Sequence, residues 1–433
     1  MPDWRPLLQG DLADRAREAA ETVALALPLA SGWLPMPMSP ETETAWNASL
    51  AAGDAGFSLL YAYLALGQNA SGGDSEENAD TALALLDRSS EAVAAVPMSD
   101  SLFTGFTGIA WVTEHLEGRL FESDEEAHLG VDEALLDALS LSPWTGDYDL
   151  INGLVGLGIY ALEGLPRPTA AACLEQVVDR LAERAERSRA AGTTWFSPPE
   201  ILPAYQRELF PEGLYNFGVS HGIPGIIALL GAACQAGVAV TTAAPLLESA
   251  VPWLLARHQG PESSWRFPHF FHPGRDPQPS RLAWCYGDLG IATALWIAAR
   301  AAGNRVWEQA ALDTALSAAV RPPHLTRVMD SGLCHGAGGV AHLFNRLYQA
   351  TGEERLADAA RSWYESALGY RKLGLGVAGF RAWASDGAGT QDWRDDPGFL
   401  EGAVGVALTL LAAVSPVEPE WDRLLLASTR SQP

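Results

Sequence analysis

Apolar positions recur at three- and four-residue intervals over residues 11–29, 80–96, 169–191, 306–320 and 353–368, all rich in Ala and Leu, and this spacing predicts five long helices. Alternating strand-like runs are scarce. A second pattern runs along the whole chain: a Gly-x-x-Gly step followed directly by an apolar stretch. It occurs seven times, at Gly53 and Gly56 (GDAGFSLLYAYL), Gly105 and Gly108 (GFTGIAWV), Gly153 and Gly156 (GLVGLGIYAL), Gly222 and Gly225 (GIPGIIALL), Gly287 and Gly290 (GDLGIATALW), Gly336 and Gly339 (GAGGVAHLF), and Gly402 and Gly405 (GAVGVALTL). The copies lie about 50 to 70 residues apart, room for two helices and their loops at about 1.5 Å of rise per residue.

The run after each step is apolar nearly all round, as in a helix buried on every side, whereas intervening stretches such as 174–189 are amphipathic and charged. Small residues in a first turn permit close backbone approach, and glycine tolerates the irregular dihedrals of a loop entering a helix. Each step therefore predicts the start of an inner helix paired with an outer one. Seven such hairpins predict an all-α fold, an α/α toroid (a double-layered helical barrel) with the inner-helix N-termini at one end. The Pro/Gly-rich interruptions at 195–211, 267–279 and 381–397 fall between hairpins and read as long loops within a single domain, 1–433. The aromatic-rich loops 193–218 and 260–280 precede the fourth and fifth steps, where they could wall a groove.

Composition narrows the function. The 433 residues are 48% hydrophobic, enough for a sizeable core, and no stretch reaches the roughly 18 apolar residues of a membrane span. The start lacks the charged-then-apolar pattern of a signal peptide, so a cytoplasmic protein is expected. A net charge of −25 without a basic cluster argues against nucleic acid as a partner. Four cysteines, Cys173, Cys234, Cys285 and Cys334, are too sparse for a disulfide framework.

The unusual chemistry lies just before the glycine steps. Two of the four cysteines, Cys285 and Cys334, stand two residues before Gly287 and Gly336, and two of the nine histidines, His221 and His335, stand one residue before Gly222 and Gly336. Two thiolates and an imidazole suit zinc, and three protein ligands leave a fourth position open, as catalytic sites do. Cys173 and Cys234, in Ala-rich helices, read as small buried hydrophobes.

The strings SHGIPG (220–225), WCYGDLG (284–290) and CHGAGG (334–339), in this order, resemble the hallmark motifs of the lanthionine synthetase C family, and the glycine steps extend the resemblance over most of the chain. The resemblance implies an α/α toroid with one zinc, held by Cys285, Cys334 and His335. It further implies an active site of His221, Asp149 in DYDLINGLVG, Arg281 and Tyr286. Read alone, Asp149 is equally a helix cap, Asp147 competes with it, and Arg281 is a loop cation. Asp288 is expected to cap the fifth inner helix and His342 to face the core. His258, His269 and His272 lie outside the steps and read as loop residues that could contact a peptide.

The implied activity is lanthipeptide cyclisation: zinc favours a cysteine thiolate, which adds to a dehydroalanine or dehydrobutyrine of the same precursor peptide, and the resulting enolate is protonated. His221 is then the acid/base, Asp149 its orienting or relaying group, Arg281 the clamp on the developing enolate or a peptide carbonyl, and Tyr286 a hydrogen-bonding aid. The implied partners are the dehydrated precursor peptide, a separate dehydratase and an exporter at the inner membrane face. Two alternatives share these motifs: a relative that adds glutathione or another external thiol to dehydrated residues, and a non-catalytic peptide-binding scaffold.

Overall fold

The structure, a computed structural model, describes residues 4–30, 34, 36–122, 128–189, 192–385 and 390–429. Its chain divides into two compact units, Met1–Glu125 with Val328–Trp421, and Glu126–Arg327 with Asp422–Pro433. The first begins with α1 (Gly10–Ala30), α2 (Pro40–Ala48), α3 (Asp54–Ala70), α4 (Glu76–Ala95) and α5 (Phe106–Leu116). The second holds α6 (Leu129–Leu139), α7 (Leu154–Glu163), α8 (Pro168–Arg184), α9 (Ala204–Leu209), α10 (Ile223–Gln235), α11 (Val240–Leu255), α12 (Asp288–Ala302), α13 (Arg305–Ala319) and α14 (Pro323–Thr326). The chain then returns to the first unit with α15 (Ala337–Thr351), α16 (Glu354–Gly369) and α17 (Ala403–Val414).

Each glycine step starts a helix, and in each the first glycine is the N-cap residue, before α3, α5, α7, α10, α12, α15 and α17. No side chain caps these helices. Before five of the seven, orphan N–H groups of the first turn are instead met by backbone carbonyls seven residues upstream, one each before α5 and α12 and three each before α7, α15 and α17. Before α7, Leu154, Val155 and Gly156 donate to Asp147, Tyr148 and Asp149; before α15, Ala337, Gly338 and Gly339 donate to Asp330, Ser331 and Gly332. The entering loop thus folds back on its own helix, which crowds the glycines. A Cβ on Gly56, Gly108, Gly225, Gly290, Gly339 or Gly405 would collide with the carbonyl oxygen six residues earlier. Space is therefore the dominant reason for these glycines. Unusual dihedrals, expected throughout, are needed at one first glycine, Gly287, with φ of 123°.

Helices α7 and α17 are buried along nearly their whole length, as their unbroken apolar runs predict. Their partners bury one stripe: in α8 it is Ala170, Cys173, Leu174, Val177, Val178 and Leu181, spaced by three and four. Each such Leu or Val contributes about 1.5–3 kcal/mol by leaving water. Within the first unit α3 packs on α4 and α15 on α16, while α17 takes its outer partner from the chain's start, α1. Within the second unit the pairs are α7 with α8, α10 with α11 and α12 with α13.

The helix expected over 169–191 stops at Arg184, because no apolar stripe continues past Leu181; Glu186–Ser188 and Gly192–Thr194 pair as a short ribbon, and residues 190 and 191 lie outside the described residues. Of the loop expected at 381–397, Ala382–Ser385 and Gln391–Arg394 form a second ribbon, with 386–389 outside the described residues. Asp288 does not cap α12. Wholly buried, it forms an ion pair with Arg321 and accepts from the backbone N–H groups of Arg266 (2.8 Å) and Phe267 (2.9 Å). His342 faces the core as expected, stacked 4.9 Å from Trp421.

Candidate active site

In the second unit, the loops entering α7, α10 and α12 are laced together by their backbones. Leu150 N–H donates to Ser220 (3.1 Å), and Gly218 forms a bridge with Tyr286. Ser220 Oγ donates to the Cys285 carbonyl at 3.5 Å. This lacing brings Asp149, His221 and Tyr286 to one cavity of about 130 Å³. Its remaining walls include Asp147, Asn216, Ser197, and the apolar side chains of Ile201, Leu202 and Pro203 with Tyr205 and Gln206. The loop 193–218 therefore walls a groove, as its position before the fourth step suggests.

His221 Nδ1 bonds Asp149 Oδ2 at 2.5 Å, and the other carboxylate oxygen accepts from the Asn152 N–H at 2.7 Å. Asp149, nearly buried, thus caps the turn and orients the imidazole at once, leaving His221 Nε2 for another partner. Burial disfavours the charged imidazole, but the hydrogen bond and charge of Asp149, with Cys285 and Asp147 adding, outweigh it and raise His221 above its ordinary pKa. Burial, then the charge of Asp149, likewise raises Asp147.

Tyr286 is fixed at its hydroxyl, which accepts from Asn216 Nδ2 at 3.1 Å, and at its ring, which meets Phe270 edge-on at 5.6 Å. Burial holds its phenol well above the usual range, so it stays protonated. Trp284, fully buried before the cysteine, donates its indole N–H to the Leu425 carbonyl at 2.8 Å. Cys285 is buried with a reduced thiol. Arg281 is not among the residues that line the cavity; its backbone N–H donates to His269 Nε2 at 3.1 Å. In the first unit, Cys334 and His335 stand at the entry to α15, where the Cys334 N–H donates to the Leu400 carbonyl at 2.7 Å, and the Cys334 thiol is also reduced.

Over residues 44–426 the chain matches the family described as Lanthionine synthetase C-like protein. The chain belongs to that family. A solved structure of nisin cyclase matches it with a TM-score of 0.73 and 18% identity, over 95% of this chain and 97% of that one. The likeness shows the fold, a helical toroid, as the glycine register predicts.

In this lanthionine synthetase C-like chain, sequence reasoning assigns no role to several residues that line the cavity, among them Ser197, Tyr205, Gln206 and Asn216. His269, outside the cavity lining, reads from sequence as a loop residue that could contact a peptide. Asn216 carried a legible signal. It stands six residues before the first glycine of its step, as do Ser99, Asp330 and Asp396, and in all four the side-chain oxygen accepts the N–H two residues on. In the fifth step that turn-forming position holds Arg281, which cannot accept such a bond. No helix among the described residues is long and apolar enough to cross a membrane.

Proposed function

We propose that this chain is a zinc-dependent lanthipeptide cyclase, which adds cysteine thiols of a precursor peptide to dehydroalanine or dehydrobutyrine residues of the same peptide and so forms lanthionine and methyllanthionine rings. The observation that carries this reading is the Asp149–His221 pair, 2.5 Å apart, lining one cavity with Tyr286, the residue that follows Cys285. Family membership supports the same chemistry.

Cys285, Cys334 and His335 would hold one zinc. Two reduced thiols and an imidazole make a donor set suited to that ion, with the fourth position left to substrate. Bound there, zinc would favour the thiolate of a substrate cysteine, which in water at neutral pH is mostly the thiol. The C–S bond forms at the β-carbon of the dehydrated residue, its double-bond electrons pass to an enolate, and the thiol's proton is replaced by one added at the α-carbon. The product is an isomer of the reactant. His221, oriented by Asp149, delivers the α-carbon proton through Nε2. Tyr286 donates its phenolic hydrogen bond to the reacting peptide, and the Arg281 guanidinium steadies the enolate oxygen. A separate dehydratase would supply the dehydrated peptide in the cytoplasm, and an exporter at the inner membrane face would take the product.

The test separates metal from proton transfer. Cys285→Ala and His335→Ala are expected to lose both zinc and ring formation, whereas His221→Ala keeps zinc and loses ring closure by about 10²–10⁴-fold. Full zinc occupancy in both ligand variants would overturn the ligand assignment.

A further inference from the structure

The loop 266–280 is braced more firmly than its Pro/Gly-rich sequence suggests. At one end Asp288 accepts the N–H groups of Arg266 and Phe267, and at the other Arg321 Nη1 donates to the Ser280 carbonyl at 3.1 Å. Since Asp288 and Arg321 are ion-paired and buried, both ends are tied to one charge pair at the start of α12. Mid-loop, Phe270–Phe271 pairs with Tyr215–Asn216, and the Phe217 N–H donates to the His269 carbonyl at 3.0 Å.

That framework points the His269 ring at the segment carrying the proposed chemistry. Its Nε2 accepts the Arg281 N–H at 3.1 Å, and its ring stands edge-on to Tyr286, 5.5 Å between centroids. Burial, with the charges of Arg281 and Arg327, pushes the imidazole down to about 4, so it is neutral at working pH and Nε2 keeps its lone pair. Where Ser99, Asn216, Asp330 and Asp396 each close their own turn, Arg281 has no such side-chain oxygen, and its backbone is held from outside by the histidine.

We propose that His269 is a positioning residue for the cyclisation reaction: its acceptor nitrogen and ring edge hold residues 281–286, and with them Arg281, Cys285 and Tyr286, in their working places. This rests on the cyclase reading of those residues. The contact itself does not.

The test compares His269→Phe, which keeps a planar ring but has no acceptor, with His269→Gln, whose amide oxygen reaches about as far as Nε2. Each variant and the wild type are measured for hydrogen–deuterium exchange over residues 280–287, zinc per chain, and kcat and KM on a pre-dehydrated peptide. The expected result is faster exchange in His269→Phe, a loss of about tenfold or more in kcat with KM and zinc little changed, and recovery of both readouts in His269→Gln. Unchanged kcat in His269→Phe overturns the proposal, whether or not exchange rises. Equal losses in both variants overturn it too, since the acceptor would then not matter. A wild type that binds zinc but turns over no dehydrated peptide sinks the cyclase reading, and faster exchange in His269→Phe would then leave His269 a packing residue only.

Discussion

Among single residues, His221 and Asp149 carry the proposed proton delivery. Because Asp149 helps hold His221 above its ordinary pKa, the imidazolium persists to higher pH than in a free histidine. If His221 delivers the α-carbon proton as an acid, activity falls as pH rises through that raised pKa. In Asp149→Asn the raising charge is gone, so the alkaline fall should begin at lower pH, and kcat should drop about 10²-fold or more. A pH–rate profile of the two proteins checks this; an unmoved alkaline limb would remove His221 as the acid. For stability the sign is that of any raised histidine: the protonated pair stabilises fully below about pH 6.5, and the contribution is lost as pH climbs through the folded-state pKa. Much of this site is legible in the chain. Cys285, Cys334, His335 and His221 stand out by their distance from a glycine, whereas Asp149 is singled out only by the family resemblance, since its position alone suits a helix cap equally and Asp147 competes with it. Asn216 and Tyr286 are 70 residues apart and His269 and Arg281 are 12, and nothing in local periodicity announces that these side chains meet.

At the element scale, the glycine step is a self-capping turn whose cost of substitution is steric. Gly108→Ala and Gly339→Ala each push a Cβ into an upstream carbonyl, of Leu102 and Leu333, and should destabilise by about 1–3 kcal/mol or more, read as a lowered Tm. Gly130, in the first turn of α6 with nothing near its absent Cβ, is the control: Gly130→Ala should leave Tm unchanged or raise it slightly. The glycine pattern predicts every inner helix start, yet its physical reason is visible only when the upstream carbonyl is in place. A second element-scale expectation concerns the brace at α12. Arg321→Met strands the buried Asp288 carboxylate and should cost roughly 3–5 kcal/mol, with faster hydrogen exchange across 266–280. Asp288 read as a helix cap because aspartate beside a helix start usually is one; the competing demand, two loop N–H groups 21 and 22 residues upstream, is a tertiary one.

At the scale of the whole molecule, both compact units are built from separated stretches of chain, which periodicity alone does not predict. In the first unit α1 packs on α17, and Trp4 Nε1 donates to the Ala412 carbonyl at 3.2 Å, a contact spanning 408 residues. Deleting residues 1–30 should therefore expose an apolar face of α17 and send the protein to aggregates, as size-exclusion chromatography would show. The charge of −25 argues against a polyanion as partner.

The cyclase reading itself is tested most directly by counting free thiols. Purified protein is incubated with a dehydrated peptide that carries cysteines, and the peptide is then alkylated and weighed. Since ring formation is an isomerisation, each ring leaves the peptide mass unchanged but removes one alkylation adduct. The account predicts fewer adducts with the wild-type protein and the full number with Cys334→Ala; the full number of adducts with a zinc-loaded, folded wild type would contradict it.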